Sequence, residues 1–370
     1  MRYEYLTTDE ANLMKTIVLH DYFEALEGGG RLCSILARGI EADLGCGFAR
    51  QSHPFLQDFK NQLIDLKSYS RIPLWRQFKL ARHFAQHTQF LANYDTVIYS
   101  GFYTPLAIAQ HLEGKNILYC HTPPRFIYDQ RDFYLAQLSP PLRPLLQAFI
   151  RYLQPRYEAA IAQMDVIITN STHVRDRIRH YLGKEAQIVH PPCETSHFRW
   201  LGQKSYYLST ARLDPLKQVD KIIQAFLTTP DKHLIVASGG SELSKLQQLA
   251  RNSPHIHFTG WTTEAQLTEL MGNAIATLYL PTQEDFGMSP LESMAAGKPV
   301  IGLAEGGLLE TIVPGKTGIL LAEATTEAIR DAVNLMTPEY ALSLRTECEI
   351  WAQNFRSELF LQQMQNILVN

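Results

Sequence analysis

The chain predicts an α/β protein built from two doubly wound parallel-sheet domains in tandem. Three observations carry this expectation. Short apolar runs alternate with helix-length amphipathic stretches, which implies βαβ units and parallel strands. The alternation breaks at a polar, proline-containing connector and then restarts. The length of 370 residues, with 45% hydrophobic content, is also better accommodated by two cores than by one.

In chain order, residues 16–19, 96–99, 116–119 and 165–168 read as buried strands of the first domain. Residues 186–189 lead into His190-Pro191-Pro192 and the connector, which runs to about Gly202. Residues 206–209, 233–236, 255–258, 276–279 and 299–302 read as the strands of the second domain. A helical stretch from 339 to the end carries Trp351, Phe355, Leu359, Phe360 and Met364 at helical spacing. The expected division is 1–196, 197–345 and a C-terminal helix over 346–370. Ligands of open α/β sheets bind beyond the carboxyl ends of the strands, so the loops there are the ones to read for chemistry.

Bulk properties exclude several classes. A formal net charge of −3 is wrong for a dedicated nucleic-acid binder. Cys33, Cys46, Cys120, Cys193 and Cys348 are dispersed without a CxxC pair, as expected of reduced thiols in a cytoplasmic protein. Residues 1–9 are polar and do not read as a signal peptide. No apolar run approaches the roughly 18 residues of a membrane span.

The densest motif is Glu284-Asp285-Phe286-Gly287-Met288-Ser289-Pro290-Leu291-Glu292. Two glutamates flank a glycine loop and a helix start, which sets hydroxyl-accepting carboxylates around backbone N–H donors suited to an anion. Ser289 as N-cap, Pro290 at N1 and Glu292 at N3 also form a capping box, so Glu292 has a purely structural reading. Arg212 and Lys217 flank Asp214-Pro215, read as N-cap and N1 of a helix. Lys217 then has the wrong sign for a first helical turn, a conflict that a bound diphosphate removes. The other reading of that pair is a solvated surface contact.

Glu27-Gly28-Gly29-Gly30 follows the first strand and allows close backbone approach, although it is not GxGxxG. His121 sits at the carboxyl end of a strand, in Tyr119-Cys120-His121-Thr122-Pro123-Pro124-Arg125. Ser238-Gly239-Gly240 is a second glycine loop. No DxD, HExxH or zinc-type cluster is present, and no GxSxG.

As an ordered set these residues resemble the GT-B glycosyltransferases of family 4, the retaining, nucleotide-sugar-dependent class, over nearly the whole chain. Glu284 to Glu292 resembles the family's E-x7-E, Arg212 and Lys217 its R-x4-K, and Gly297-Lys298-Pro299-Val300 and Gly306-Gly307-Leu308-Leu309-Glu310 the motifs that follow. Asp285-Phe286-Gly287 and His121-Thr122-Pro123-Pro124-Arg125 are similar to one bacterial subgroup, often mannosyltransferases of cell-surface polysaccharide synthesis.

The resemblance implies two Rossmann-like domains facing across a cleft, with the C-terminal helix crossing back to the N-terminal domain. It implies a GDP-mannose-type nucleotide-sugar donor and no metal. Arg212 and Lys217 would hold the diphosphate with Gly29, Gly30 and Ser289. Glu284, Phe286, Gly287 and Met288 would meet the donor sugar, Glu292 the ribose, and His121 the sugar from the N-terminal side. The acceptor would be a glycan or a lipid-linked molecule. Residues 130–157 mix Arg131, Arg143, Arg151 and Arg156 with apolar residues, which reads either as a peripheral membrane contact or as an ordinary surface helix. Two rivals keep the fold: a nucleotide-sugar epimerase, and a catalytically silent sugar-nucleotide-binding subunit.

Overall fold

Buried apolar runs become strands because only a sheet covered on both faces can hide them while pairing every backbone amide. In the computed structural model, which describes residues 14–25, 27–50, 52–251 and 253–369, these runs form two parallel sheets. The polar segment over residues 1–9 lies outside the described residues.

The first sheet contains β1 (Thr16–His20), β2 (Asp43–Cys46), β3 (Leu63–Asp65), β4 (Thr96–Ser100), β5 (Lys115–Cys120), β6 (Val166–Thr169) and β7 (Gln187–Ile188), in the order β3-β2-β1-β4-β5-β6-β7. The second contains β8 (Tyr207–Ser209), β9 (Leu234–Val236), β10 (Ile256–Phe258), β11 (Thr277–Tyr279), β12 (Val300–Leu303) and β13 (Gly318–Leu321), in the order β10-β9-β8-β11-β12-β13. Both orders reverse beside the first strand of their sheet. Each sheet is therefore a doubly wound Rossmann-like unit with its switch point at β1 or β8.

The chain divides into two compact units. The first holds 1–169, 178–187 and 368–370, and the second holds 170–177 and 188–367. The second unit takes in more of the C-terminal stretch than the sequence suggests, for identifiable reasons. Cys193 N–H donates to Phe355 O at 2.7 Å. The Trp351 indole donates to Thr311 O at 2.8 Å. Phe355 lies in a core with His190 and Phe286. Trp351 and Phe355 thus pack within the second unit, whereas Leu368, near the end of the final helix Ser357–Val369, is counted with the first unit, where Lys115 Nζ donates to its carbonyl at 3.2 Å.

Helix Arg143–Ala162 turns Leu146, Phe149, Ile150, Leu153 and Tyr157 inward and leaves Leu145 exposed, which is ordinary amphipathic packing. Among the described residues, no helix is long and apolar enough to cross a membrane.

Candidate active site

In the second unit, four loops at the carboxyl ends of strands are tied together by backbone contacts. After β8, Asp214 caps a single 3-10 turn, Pro215–Lys217, by accepting from Leu216 N–H at 3.2 Å. The capping residue is as expected, but the turn stops at Lys217. Gln218 adopts a left-handed conformation (φ 52°) and a new helix, Val219–Leu227, begins there. Lys217 therefore projects from a turn and is not in the first turn of a long helix.

Its ammonium lies 2.8 Å from Glu284 Oε2 and 3.4 Å from the Tyr279 hydroxyl at the end of β11. Burial pulls the Lys217 ammonium down, but Tyr279 and Glu284 outweigh it and hold the group above the ordinary lysine range. Arg212 stays 58% exposed, held by Asp214 at 3.1 Å. The two cations thus differ: Lys217 is largely buried between Glu284 and Tyr279, and Arg212 stands exposed with Asp214 as its partner.

The loop carrying Glu284 is braced from below by Gly306 and Gly307. Gly307 N–H donates to Glu284 O at 2.9 Å. A Cβ on Gly306 would sit 2.3 Å from Glu284 O, and one on Gly307 would sit 2.3 Å from Phe286 Cα. Any side chain there would push the loop away. Asp285 forms an ion pair with Arg177, and its carbonyl accepts from Ser171 Oγ at 2.6 Å. Glu310 Oε1 accepts from Thr172 N–H at 2.7 Å, so the helix start at 171–174 and the glutamate loop anchor each other.

The capping-box expectation is overturned. Helix Met288–Ala295 begins one residue before Ser289. Its N-cap is Gly287 at φ 96°, and no side chain caps it. Only glycine reaches that conformation without strain. Ser289 lies inside the first turn, and Glu292 falls a full turn in, beyond capping reach. Phe286 also differs from expectation: its ring is 3% exposed and stacks on His190 at 5.2 Å, so its side chain belongs to the core and its backbone alone borders the loop. Gly239 approaches the Trp261 indole so closely that a Cβ would lie 2.5 Å from Nε1, and Trp261 remains 72% exposed.

In the first unit, the glycine run is not a loop. It forms the opening turn of helix Gly28–Gly39, with Glu27 as N-cap. Three glycines disfavour a helix by about 1 kcal/mol each relative to alanine. Steric need does not explain Gly28, where a Cβ would meet nothing within 4 Å, and is modest at Gly30, where one would lie 3.3 Å from the Phe23 ring. One on Gly29 would stand in contact with the rings of His20 at 3.4 Å and His121 at 3.5 Å. Bare backbone beside two imidazoles at a helix N-terminus suits an anionic ligand.

His121 Nε2 lies 2.7 Å from Ser100 Oγ. Burial pushes the His121 imidazole down to about 3 and that of His20 down to about 4, so both are neutral near pH 7. Beside them Asp21 accepts from the backbone N–H groups of Phe102, Tyr103 and Thr104 at 2.6, 2.9 and 3.1 Å.

Sequence reasoning missed Tyr279, Ser171, Arg177, His20 and Ser100. The signal for His20, Ser100 and Tyr279 was their place as the last residue of a strand. Arg177 and Ser171 left no such signal. Among the described residues, no cluster of three or more His, Cys, Asp or Glu could hold a metal ion.

The family models agree with this geometry. The model described as Glycosyltransferase Family 4 matches residues 34–224, over half the chain, and that described as Glycosyl transferases group 1 matches 194–355. The chain belongs to glycosyltransferase family 4. Among curated family relatives, it is 32% identical over 162 residues to N-acetyl-alpha-D-glucosaminyl L-malate synthase of Bacillus anthracis, covering 41% of this chain and 42% of that enzyme. It is 28% identical over 221 residues to the GDP-mannose-dependent alpha-(1-6)-phosphatidylinositol monomannoside mannosyltransferase of Mycolicibacterium smegmatis, covering 51% and 57%. These matches span less than two thirds of either relative. The family fold is matched by the Anabaena protein HepE, solved with UDP and glucose, at TM-score 0.75 and 15% identity over 96% of this chain and 100% of that one.

Proposed function

We propose that this chain is a retaining hexosyltransferase that moves mannose from GDP-mannose to a glycan or lipid-linked acceptor in cell-surface polysaccharide synthesis. The observation that carries the reading is the Lys217–Glu284 pair, a cation and a hydroxyl-binding carboxylate held 2.8 Å apart at the carboxyl edge of the second sheet. The name of the mycobacterial relative supports mannose as the sugar.

In this reading Lys217 and Arg212 neutralise the diphosphate and stabilise the charge that grows on it as the glycosidic bond breaks. Glu284, relieved of Lys217 by the incoming phosphate, accepts from sugar hydroxyls. Glu292 accepts from the ribose, and Trp261 offers an exposed face for the base. Backbone N–H groups at Met288 and Ser289 face the phosphates or sugar from the helix N-terminus. On the first unit, Gly29 and Gly30 present bare backbone close to His20, His121 and Phe23, and in this reading Gly29, Gly30 and His121 are that unit's ligand-facing residues. Charge stabilisation by the two cations makes a metal unnecessary.

Exposed Tyr134, Leu142 and Leu145 near Arg143 support peripheral contact with an anionic bilayer, where a lipid-linked acceptor would be met. The test is turnover of GDP-mannose with a membrane or glycan acceptor extract, with and without EDTA, followed by NMR of the product. Transfer that survives EDTA and gives an α-linked product supports the proposal. An inverted product, or donor converted to another sugar nucleotide without acceptor, contradicts it.

A further inference from the structure

His20, Ser100 and His121, at the carboxyl ends of β1, β4 and β5, are linked by hydrogen bonds that also take in Cys33 of helix Gly28–Gly39. His20 Nδ1 lies 2.8 Å from Ser100 O. A carbonyl can only accept, so His20 carries its hydrogen on Nδ1. The Cys33 thiol lies 3.4 Å from that same nitrogen, which has no lone pair to offer it, and 3.1 Å from Ser100 Oγ. The thiol hydrogen therefore goes to Ser100 Oγ. Ser100 is fully buried, and among the described residues the strong acceptor within reach of its hydroxyl hydrogen is His121 Nε2 at 2.7 Å, the thiol sulfur being a much weaker one. If His121 donated from Nε2 instead, the Ser100 hydroxyl would have to turn its own hydrogen from an imidazole nitrogen to the Cys33 sulfur, a far weaker acceptor, and the thiol hydrogen would lose its acceptor.

We propose that Ser100 is a positioning residue that fixes His121 in the neutral tautomer protonated on Nδ1. The inference deepens the function proposed above and rests on it for its catalytic meaning. Nε2 is occupied by the Ser100 hydroxyl, and Nδ1 carries a hydrogen. Any oxygen that meets Nδ1 therefore finds a donor and no basic lone pair. His121 acts as a hydrogen-bond donor to a sugar oxygen, and a general-base role is closed to it. Burial, which holds the ring neutral, keeps this arrangement intact across the neutral range.

The test is long-range proton–nitrogen NMR on full-length protein labelled at histidine nitrogens, with His121→Asn identifying the resonances. The expected result is a pyridine-type Nε2 and a pyrrole-type Nδ1. Ser100→Ala should give a tautomer mixture, and Ser100→Thr should restore the wild-type pattern. A pyrrole-type Nε2 in the wild type overturns the proposal, and that measurement needs no variant to fold. In turnover, Ser100→Ala should lower kcat about tenfold, the size expected for one lost hydrogen bond, with Ser100→Thr recovering it. Unchanged kcat in a Ser100→Ala protein whose tautomer has shifted overturns the positioning role. Failure of the wild type to turn over any sugar nucleotide would count against glycosyl transfer instead, and the NMR result would still decide the tautomer.

Discussion

Lys217 and Glu284 stand on different strand-end loops and satisfy each other at 2.8 Å, with side chains 21% and 17% exposed. Each is therefore the other's counter-charge whenever no ligand is bound. The pair keeps two charges poised in a partly dry site, and a ligand must exchange into it. Single substitutions strand the remaining charge.

Lys217→Met should lower stability by about 1–3 kcal/mol, and so should Glu284→Gln. The double variant should recover part of the loss, with a coupling of about 1–2 kcal/mol in a double-mutant cycle of denaturation midpoints. Additive effects would mean that the pair is too solvated to matter.

Gly307→Ala tests the brace beneath the glutamate loop. The new Cβ would lie 2.3 Å from Phe286 Cα, against backbone that cannot swing aside as a side chain can. A loss of about 1–3 kcal/mol and a kcat fall larger than that of Gly28→Ala are expected, since a Cβ at Gly28 meets open space. Thermal melts and turnover check both.

Asp285 and Arg177 form the ion pair that holds the same loop from its other side. Arg177→Ala should lower kcat without removing Arg212, Lys217 or Glu284 from the site. Rates equal to wild type would show that Gly306 and Gly307 suffice to hold the loop.

Stability should fall as the solution is acidified below about pH 6.5. His20 and His121 titrate near 6.5 when unfolded but near 4 and 3 when folded, so the unfolded chain binds more protons through that window. Their contribution is complete above the unfolded value and is lost as pH falls through the folded ones. Asp21 acts oppositely. Burial raises its carboxyl to about 6 against its three backbone hydrogen bonds, so the folded chain binds a proton more readily between about pH 4 and 6. Two depressed imidazoles outweigh one raised carboxyl. The net loss, measured by denaturation at pH 7 and pH 5, should shrink in His20→Gln.

Much of this was readable in the residues. The central strands announced themselves as apolar runs such as Thr96-Val97-Ile98-Tyr99, buried throughout. β2 and β3 did not, because Asp43-Leu44-Gly45-Cys46 and Leu63-Ile64-Asp65 are short and interrupted by glycine or acid. β13 begins at Gly318, whose missing side chain admits the Val300 carbonyl; a Cβ would come within 1.9 Å of it. Glycine there weakens the strand signal for a packing reason that sequence periodicity does not carry. Within the site, Arg212, Lys217, Glu284 and Gly287 were legible from motif and spacing. The helix start was misread because Ser289-Pro290 with Glu292 mimics a capping box, while the left-handed Gly287 sets the cap two residues earlier. Ser171 and Arg177 were invisible because their partners lie more than a hundred residues away.

Binding of sugar nucleotides to wild type and to Lys217→Ala, by calorimetry, tests the central claim most directly. The account predicts that GDP-mannose binds the wild type more tightly than UDP- or ADP-sugars, and that Lys217→Ala weakens it at least about tenfold, as expected for loss of a charge-assisted phosphate contact. Equal affinity in the two proteins, or no binding of any sugar nucleotide to the wild type, would contradict it.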